Sequence, residues 1–176
     1  MTSGVDLTAD LEAWVRRAGL EMIQGSQTDD GRTVIWNTGG EVRYFIDVVD
    51  GWYVITTSDR LGPETYEFAA ESMPIIEKYL YGVVGDSARQ DENLPHIRSP
   101  FHREELRPGY SIGKQAFAGR ERHTLIDHAG KVIAITAVDR LVGLSHFLDV
   151  TVDVIKNSYL APDGKPLFTL WRDVGN

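Results

Sequence analysis

The sequence contains no cysteine among its 176 residues. Disulfide frameworks, zinc ribbons, iron–sulfur clusters and thiol nucleophiles are excluded together, and export into an oxidising compartment gains no support. No apolar run approaches the roughly 20 residues of a membrane span. The first residues, Met1-Thr2-Ser3-Gly4-Val5-Asp6, lack the basic and apolar regions of a signal peptide. A cytoplasmic protein is therefore expected. Positive charge is scarce: 18 Lys plus Arg stand against 26 Asp plus Glu, a formal net charge of -8. Such a surface repels phosphate backbones and anionic headgroups, so neither nucleic acid nor a membrane is the expected partner. A basic protein partner fits better, although moderate acidity also serves solubility alone. The common catalytic fingerprints are missing too. There is no P-loop, no G-x-G-x-x-G after a strand, no G-x-S-x-G elbow and no H-E-x-x-H.

What is present is an ordinary globular composition, 42% hydrophobic and 25% charged, at a length that suits one domain. Its most informative feature is internal. The run from Phe45 through Ser58-Asp59-Arg60-Leu61 matches the run from Leu125 through Val138-Asp139-Arg140-Leu141 at a constant offset of 80 residues (139 − 59), with no gap. Ile75, Tyr79 and Leu80 fall on Ile155, Tyr159 and Leu160 at the same offset. The pattern predicts an α+β domain spanning 1–176. Its core is a duplicated β-hairpin, or three-stranded antiparallel sheet, followed by a helix. The units cover about 33–82 and 111–160, a connector spans 85–108, and an extra helix precedes them.

Local signals support the elements. Val42–Val48 and Trp52–Thr56 are β-branched and aromatic runs joined at Asp50-Gly51, a pair suited to the positive φ of a tight turn. Thr33–Trp36 adds a strand ahead of the Gly39-Gly40 turn, and Ser111–Phe117 is the equivalent candidate in the second unit. Leu141, Leu144, Leu148, Val152, Ile155 and Tyr159 form one apolar stripe of a helix of about five turns. Asp139, and by repetition Asp59, stands where an N-cap belongs. Pro74 is expected to kink or split the first unit's helix near Ala70. Thr8 caps the N-terminal helix and Gly19 ends it.

Candidates for chemistry are few. His96 and His102, with Glu104 and Glu105, lie together in the connector. Ser145, His146 and Asp149 are the residue types of a triad, but neighbours on a helix point apart. Asp47 and Asp127 are equivalent by repetition and could face each other as paired acids. Each also precedes a turn, where Asp commonly bonds its own backbone. The aromatic residues suggest a surface role instead. Trp36, Tyr44, Trp52 and Tyr53 crowd one short sheet, and Trp52 and Tyr53 must face opposite sides. Trp52 and Tyr44, with Asp47 and Asp50, form a candidate partner-binding patch, and the Gly39-Gly40 turn and the proline-rich connector are the alternative candidates for an inserted loop. No catalytic, cofactor-binding or metal-binding residue is assigned.

The segment WVRRAGLEMIQGSQTDDGRTVIWNTGGEVRYFIDVVDGWYVITTS (Trp14 to Ser58), with the later LIDHAGKVIAITAVDRL and GKPLFTLW, resembles the immunity-factor family that counters the tuberculosis necrotizing toxin and related NAD glycohydrolase toxins. The resemblance covers nearly the whole chain. It implies a cytosolic antitoxin without enzymatic activity or cofactor, binding a cognate secreted NAD-hydrolysing toxin domain one to one and occluding its NAD site. A secretion-chaperone-like adaptor and, further off, a small hydrolase using Asp47 and Asp127 are the alternatives. The resemblance assigns no interface residues.

Overall fold

The computed structural model describes residues 4–171. Its order is α1 (Ala9–Arg17), β1 (Glu21–Ile23), β2 (Thr33–Trp36), β3 (Val42–Val49), β4 (Trp52–Asp59), β5 (Thr65–Ala70), α2 (Met73–Asp91), β6 (Ile97–Arg98), β7 (Ser111–Phe117), β8 (Arg120–Ile126), β9 (Val132–Ile135), α3 (Val138–Leu148), α4 (Val152–Leu160) and β10 (Thr169–Leu170). Eight strands make one antiparallel sheet in the order β1-β2-β3-β4-β5-β9-β8-β7, and β6 pairs with β10 in a separate ribbon. The meanders β2-β3-β4 and β9-β8-β7 thus flank β5 in mirrored order. None of the helices among the described residues is long and apolar enough to cross a membrane.

The helices α1 to α4 lie on one face of the sheet. Leu11, Trp14 and Val15 of α1, Ile76, Leu80 and Val84 of α2, Leu141 and Leu144 of α3 and Ile155 and Tyr159 of α4 share one core with Met22, Ile35, Ile46, Ile55 and Phe68 from the strands. Alternation decides which strand residues join it. Ile46 pairs with Ile55, so both point at the helices while their neighbours point away. Arg89 closes the far end of α2. Its buried guanidinium donates to the carbonyls of Pro95, Tyr159, Ala161 and Pro162 at 2.5–2.8 Å, tying α2 to the following loop and to the end of α4.

Several expectations need correction. Asp59 does not start a helix. It is the last residue of β4, and β5 intervenes before α2. Asp139 lies in the first turn of α3, whose N-cap is Ala137. Pro74 does not kink a helix: it occupies the opening turn of α2, where its missing N–H costs nothing, and Ala70, where the kink was expected, is the last residue of strand β5. The stripe from Leu141 to Tyr159 is broken between Leu148 and Val152. There Thr151 caps α4 by accepting the Val154 N–H at 3.3 Å. The connector does not begin at 85, because α2 runs to Asp91 and buries Gly85 against Tyr159. α1 has the expected limits, Thr8 accepting from Leu11 and Gly19 leaving the helix at φ +77°.

Candidate functional site

The sheet face away from the helices carries Val34 and Trp36 of β2, Arg43, Phe45, Asp47 and Val49 of β3 and Trp52, Val54 and Thr56 of β4, placed by the pairings Val34↔Phe45, Trp36↔Arg43 and Val49↔Trp52. Beyond β4 this face covers itself. Val54, Ala69 and Ile135 are buried there beneath Trp52, Tyr66 and Phe117, with no helix residue in the cluster. Trp52 and Phe117 stand on strands four steps apart, roughly 19 Å in a flat sheet at about 4.8 Å per step, yet their ring centroids are 5.6 Å apart. The β7-β8 hairpin therefore curls across the face. Strand twist and the register shifts at Ile55/Thr56 and Leu125/Ile126 provide the curvature.

The other half stays bare. Ile23, Val34, Trp36, Arg43 and Phe45 line an open groove of about 560 Å³ that ends on the Gly39-Gly40 turn. Both glycines have positive φ, +91° and +68°, a conformation most side chains avoid. Ile23 is 40% exposed. Arg32 lies 4.5 Å over the Phe45 ring and pairs with Asp30 at 2.8 Å and Glu64 at 2.6 Å, fixing the groove's lower wall. Those bonds hold both carboxyls below their ordinary range, the Arg32 bond leading for Asp30 and the Thr56 hydroxyl leading for Glu64. The result is a preformed aromatic concavity beside the guanidinium of Arg43, which forms no ion pair among the described residues. It can seat a protruding apolar or aromatic side chain. Among the described residues its lining pairs no nucleophile with a base.

The six candidate partner-binding residues are not one patch. Asp47, Trp52, Gly39 and Gly40 belong to the face away from the helices, and Asp50 stands at the tip of the β3-β4 hairpin with φ 52°. Tyr44 belongs to the opposite face, packed on the helical core, where burial raises its pKa. The ring of Trp52 is already taken by Phe117. Ile23, Val34, Arg43 and Phe45 join the groove without a sequence motif to mark them, although the two-residue turn Asp50-Gly51 sets the register and parity along β3 then separates Tyr44 from Trp52.

The other chemical candidates are dispersed. Asp47 and Asp127 have three strands between their positions and do not face each other, and Asp127 accepts from the N–H groups of Ala129 and Lys131 in its own turn. The Ser145 hydroxyl donates to Val142 O at 2.6 Å, and His146 Nε2 bonds Glu105 O at 2.7 Å, so the pair is no nucleophile and base. Glu105 is occupied by both terminal nitrogens of Arg98 at 2.9 Å. Among the described residues no group of three or more His, Asp or Glu is placed to hold a metal ion.

The family model described as Immunity protein 61 matches residues 14–167. The "Immunity factor for TNT" of Mycobacterium tuberculosis (strain ATCC 25618 / H37Rv) is 65% identical over 173 residues, covering 98% of each chain. Its homolog in Mycobacterium bovis (strain BCG / Pasteur 1173P2) matches equally. The solved structure of Rv3902c from M. tuberculosis superposes with a TM-score of 0.96 at 65% identity, over 98% of this chain and 99% of that one.

Proposed function

This chain belongs to the Immunity protein 61 family, and from that premise we propose that it protects a cell by binding one cognate NAD-hydrolysing toxin domain in the cytoplasm and covering that domain's NAD site. The observation that carries this is the 65% identity, over 98% of both chains, to an immunity factor. An inhibitor of this kind needs a preformed surface, one or two anchors and no reactive group of its own. The bare half of the sheet is such a surface. On this reading the groove of Trp36, Arg43 and Phe45, with the Gly39-Gly40 turn and Asp47 beside it, meets the toxin. Asp50 reaches the rim from the hairpin tip, while Tyr44 and the ring of Trp52 support the surface from within. The acidic surface raises the rate of encounter with a basic toxin face.

The test is a titration of the cognate toxin's NAD hydrolysis. Wild type is expected to abolish it at one equivalent, and the protein alone to leave NAD intact. Trp36→Ala, which empties the groove, is expected to weaken binding by about 2 kcal/mol or more, close to 30-fold. Undiminished hydrolysis at a stoichiometric excess of wild type would sink the proposal. Full inhibition by Trp36→Ala at wild-type affinity would move the contact to another face.

A further inference from the structure

The sheet has a notch where β9 stops. Ile135 is its last residue, paired with Ala69 of β5 and Thr124 of β8. Thr136 joins the same two strands once more, its N–H to His123 O at 3.2 Å and its hydroxyl to Glu67 O at 2.8 Å. The chain then leaves as α3. β5 and β8 continue past that point, so a cleft of about 210 Å³ stands between Tyr66 and Glu67 on one side and Arg120 and Arg122 on the other. A missing strand's width is left open.

The charge of this cleft runs against that of the chain. Arg122 is held rigidly: Nε donates to Phe117 O at 2.8 Å, Nη2 to Ala118 O at 3.1 Å, and the guanidinium lies 3.8 Å over the Tyr66 ring. Neither Arg122 nor Arg120 pairs with a carboxylate among the described residues. The nearby acids are engaged elsewhere. Glu67 holds Arg140 at 2.8 Å and Tyr79 at 2.9 Å, and Glu121 faces Lys114 at 3.7 Å. Burial first, and the adjacent Arg120 charge second, press on the charged state of Arg122, a pressure an anion would relieve. α3 also opens into the cleft, and its N-cap Ala137 has no side-chain oxygen for the first free N–H groups. His123, on the same wall, carries the one buried side-chain polar atom without a partner among the described residues, Nδ1. Uncompensated polar groups of this kind are rare in finished interiors.

We propose that this notch is an anion receptor, in which Arg120, Arg122 and the first turn of α3 bind a carboxylate or phosphate group. The group comes either from an acidic side chain of the bound toxin, which rests on the immunity reading above, or from a free anion, which does not. Arg122 supplies a fixed planar donor and Arg120 an adjustable one, the arrangement that suits two oxygens of one anion.

Titrating inorganic phosphate into the full chain while following backbone and arginine Nε resonances decides the site. Saturable shifts are expected at Arg120, Arg122, Val138 and Asp139, and their loss in Arg120→Gln. The Arg120 side chain makes no hydrogen bond or ion pair among the described residues, its backbone alone pairing with Phe117 in the β7-β8 ladder, so this variant avoids the folding defect that Arg122→Gln could bring through Tyr66. The second arm measures toxin affinity. A loss of about tenfold or more in Arg120→Gln, deepened in Arg120→Glu, makes the ligand a toxin carboxylate. Phosphate shifts with toxin affinity unchanged make it a free anion. No phosphate shifts, together with toxin affinity within about twofold of wild type in Arg120→Glu, would overturn the receptor. Should wild type fail to inhibit the toxin at all, the immunity reading falls and the phosphate arm still decides the notch.

Discussion

At the scale of single residues, the loop between α2 and β7 is ordered by one carboxylate. Glu105 binds both terminal nitrogens of Arg98 and accepts the N–H groups of Phe101 and His102. The Arg98 bonds, and after them the backbone N–H groups, lower its pKa from 4.5 to about 2. A carboxyl depressed in the folded state stabilises above its unfolded value, and that contribution is lost as pH falls toward the folded value. Stability should therefore decline between about pH 4.5 and 2 partly through this group. Glu105→Gln is expected to be less stable than wild type at neutral pH, with the difference closing toward pH 2, as urea denaturation across that range would show. A gap that stays constant with pH would mean the carboxylate is not what orders the loop. The sequence placed Glu105 beside His96 and His102 as a possible ligand set. Its true partner, Arg98, shows no periodicity or motif, and only the loop's own path brings the two together.

At the scale of elements, the helices meet through glycine. A Cβ on Gly85 of α2 would stand 2.4 Å from the Tyr159 ring of α4, and one on Gly82 would stand 2.7 Å from Phe147 of α3. Glycine inside a helix costs about 1 kcal/mol relative to alanine, so the bare backbone is kept for close approach. Gly85→Ala should gain that propensity and still lose stability overall, by about 1–3 kcal/mol from overpacking. Tyr159→Leu in the same chain should restore part of the loss, a coupling that a double-mutant cycle in denaturant would measure. Additive effects would mean the helices pack elsewhere. Gly85 is also a position that local sequence marks wrongly: a glycine followed by charged residues looks like a helix ending, and the ring that justifies it arrives from 74 residues on. The strands were more legible. Alternation and the Asp50-Gly51 turn mark β3 and β4 directly, whereas β5, with Ala69 and Ala70 in its sequence, has weak strand propensity of its own and is strand because β4 and β9 bracket it. The same dependence on tertiary position hid the break between α3 and α4, which Thr151 signals only as a cap inside an unbroken apolar stripe.

At the scale of the molecule, one layer of helices covers one face of an eight-stranded sheet, and the second face is divided between self-cover and exposure. That division was not legible. The sequence shows which residues alternate, but whether a face is covered depends on how far the sheet curls, and the contacts that record the curl join residues as distant as Trp52 and Phe117. The two halves should answer differently to the same kind of change. Phe117 holds the β7-β8 hairpin down against Trp52 at 5.6 Å and Tyr66 at 5.8 Å, over the buried Val54, Ala69 and Ile135. Phe117→Ala removes the cap from a small core that no helix protects. Because the ring is only partly buried, the expected cost is about 2 kcal/mol, below that of a fully enclosed phenylalanine. Amide exchange should quicken in the outer parts of β7 and β8 while β2 and β3 keep their protection, since the main core on the helix side is untouched. Trp36→Ala, on the bare half, leaves no buried cluster uncovered and should shift exchange little beyond β2. Equal losses of protection from the two substitutions would mean that the face is covered throughout, and the surface proposed to meet the toxin would then not exist.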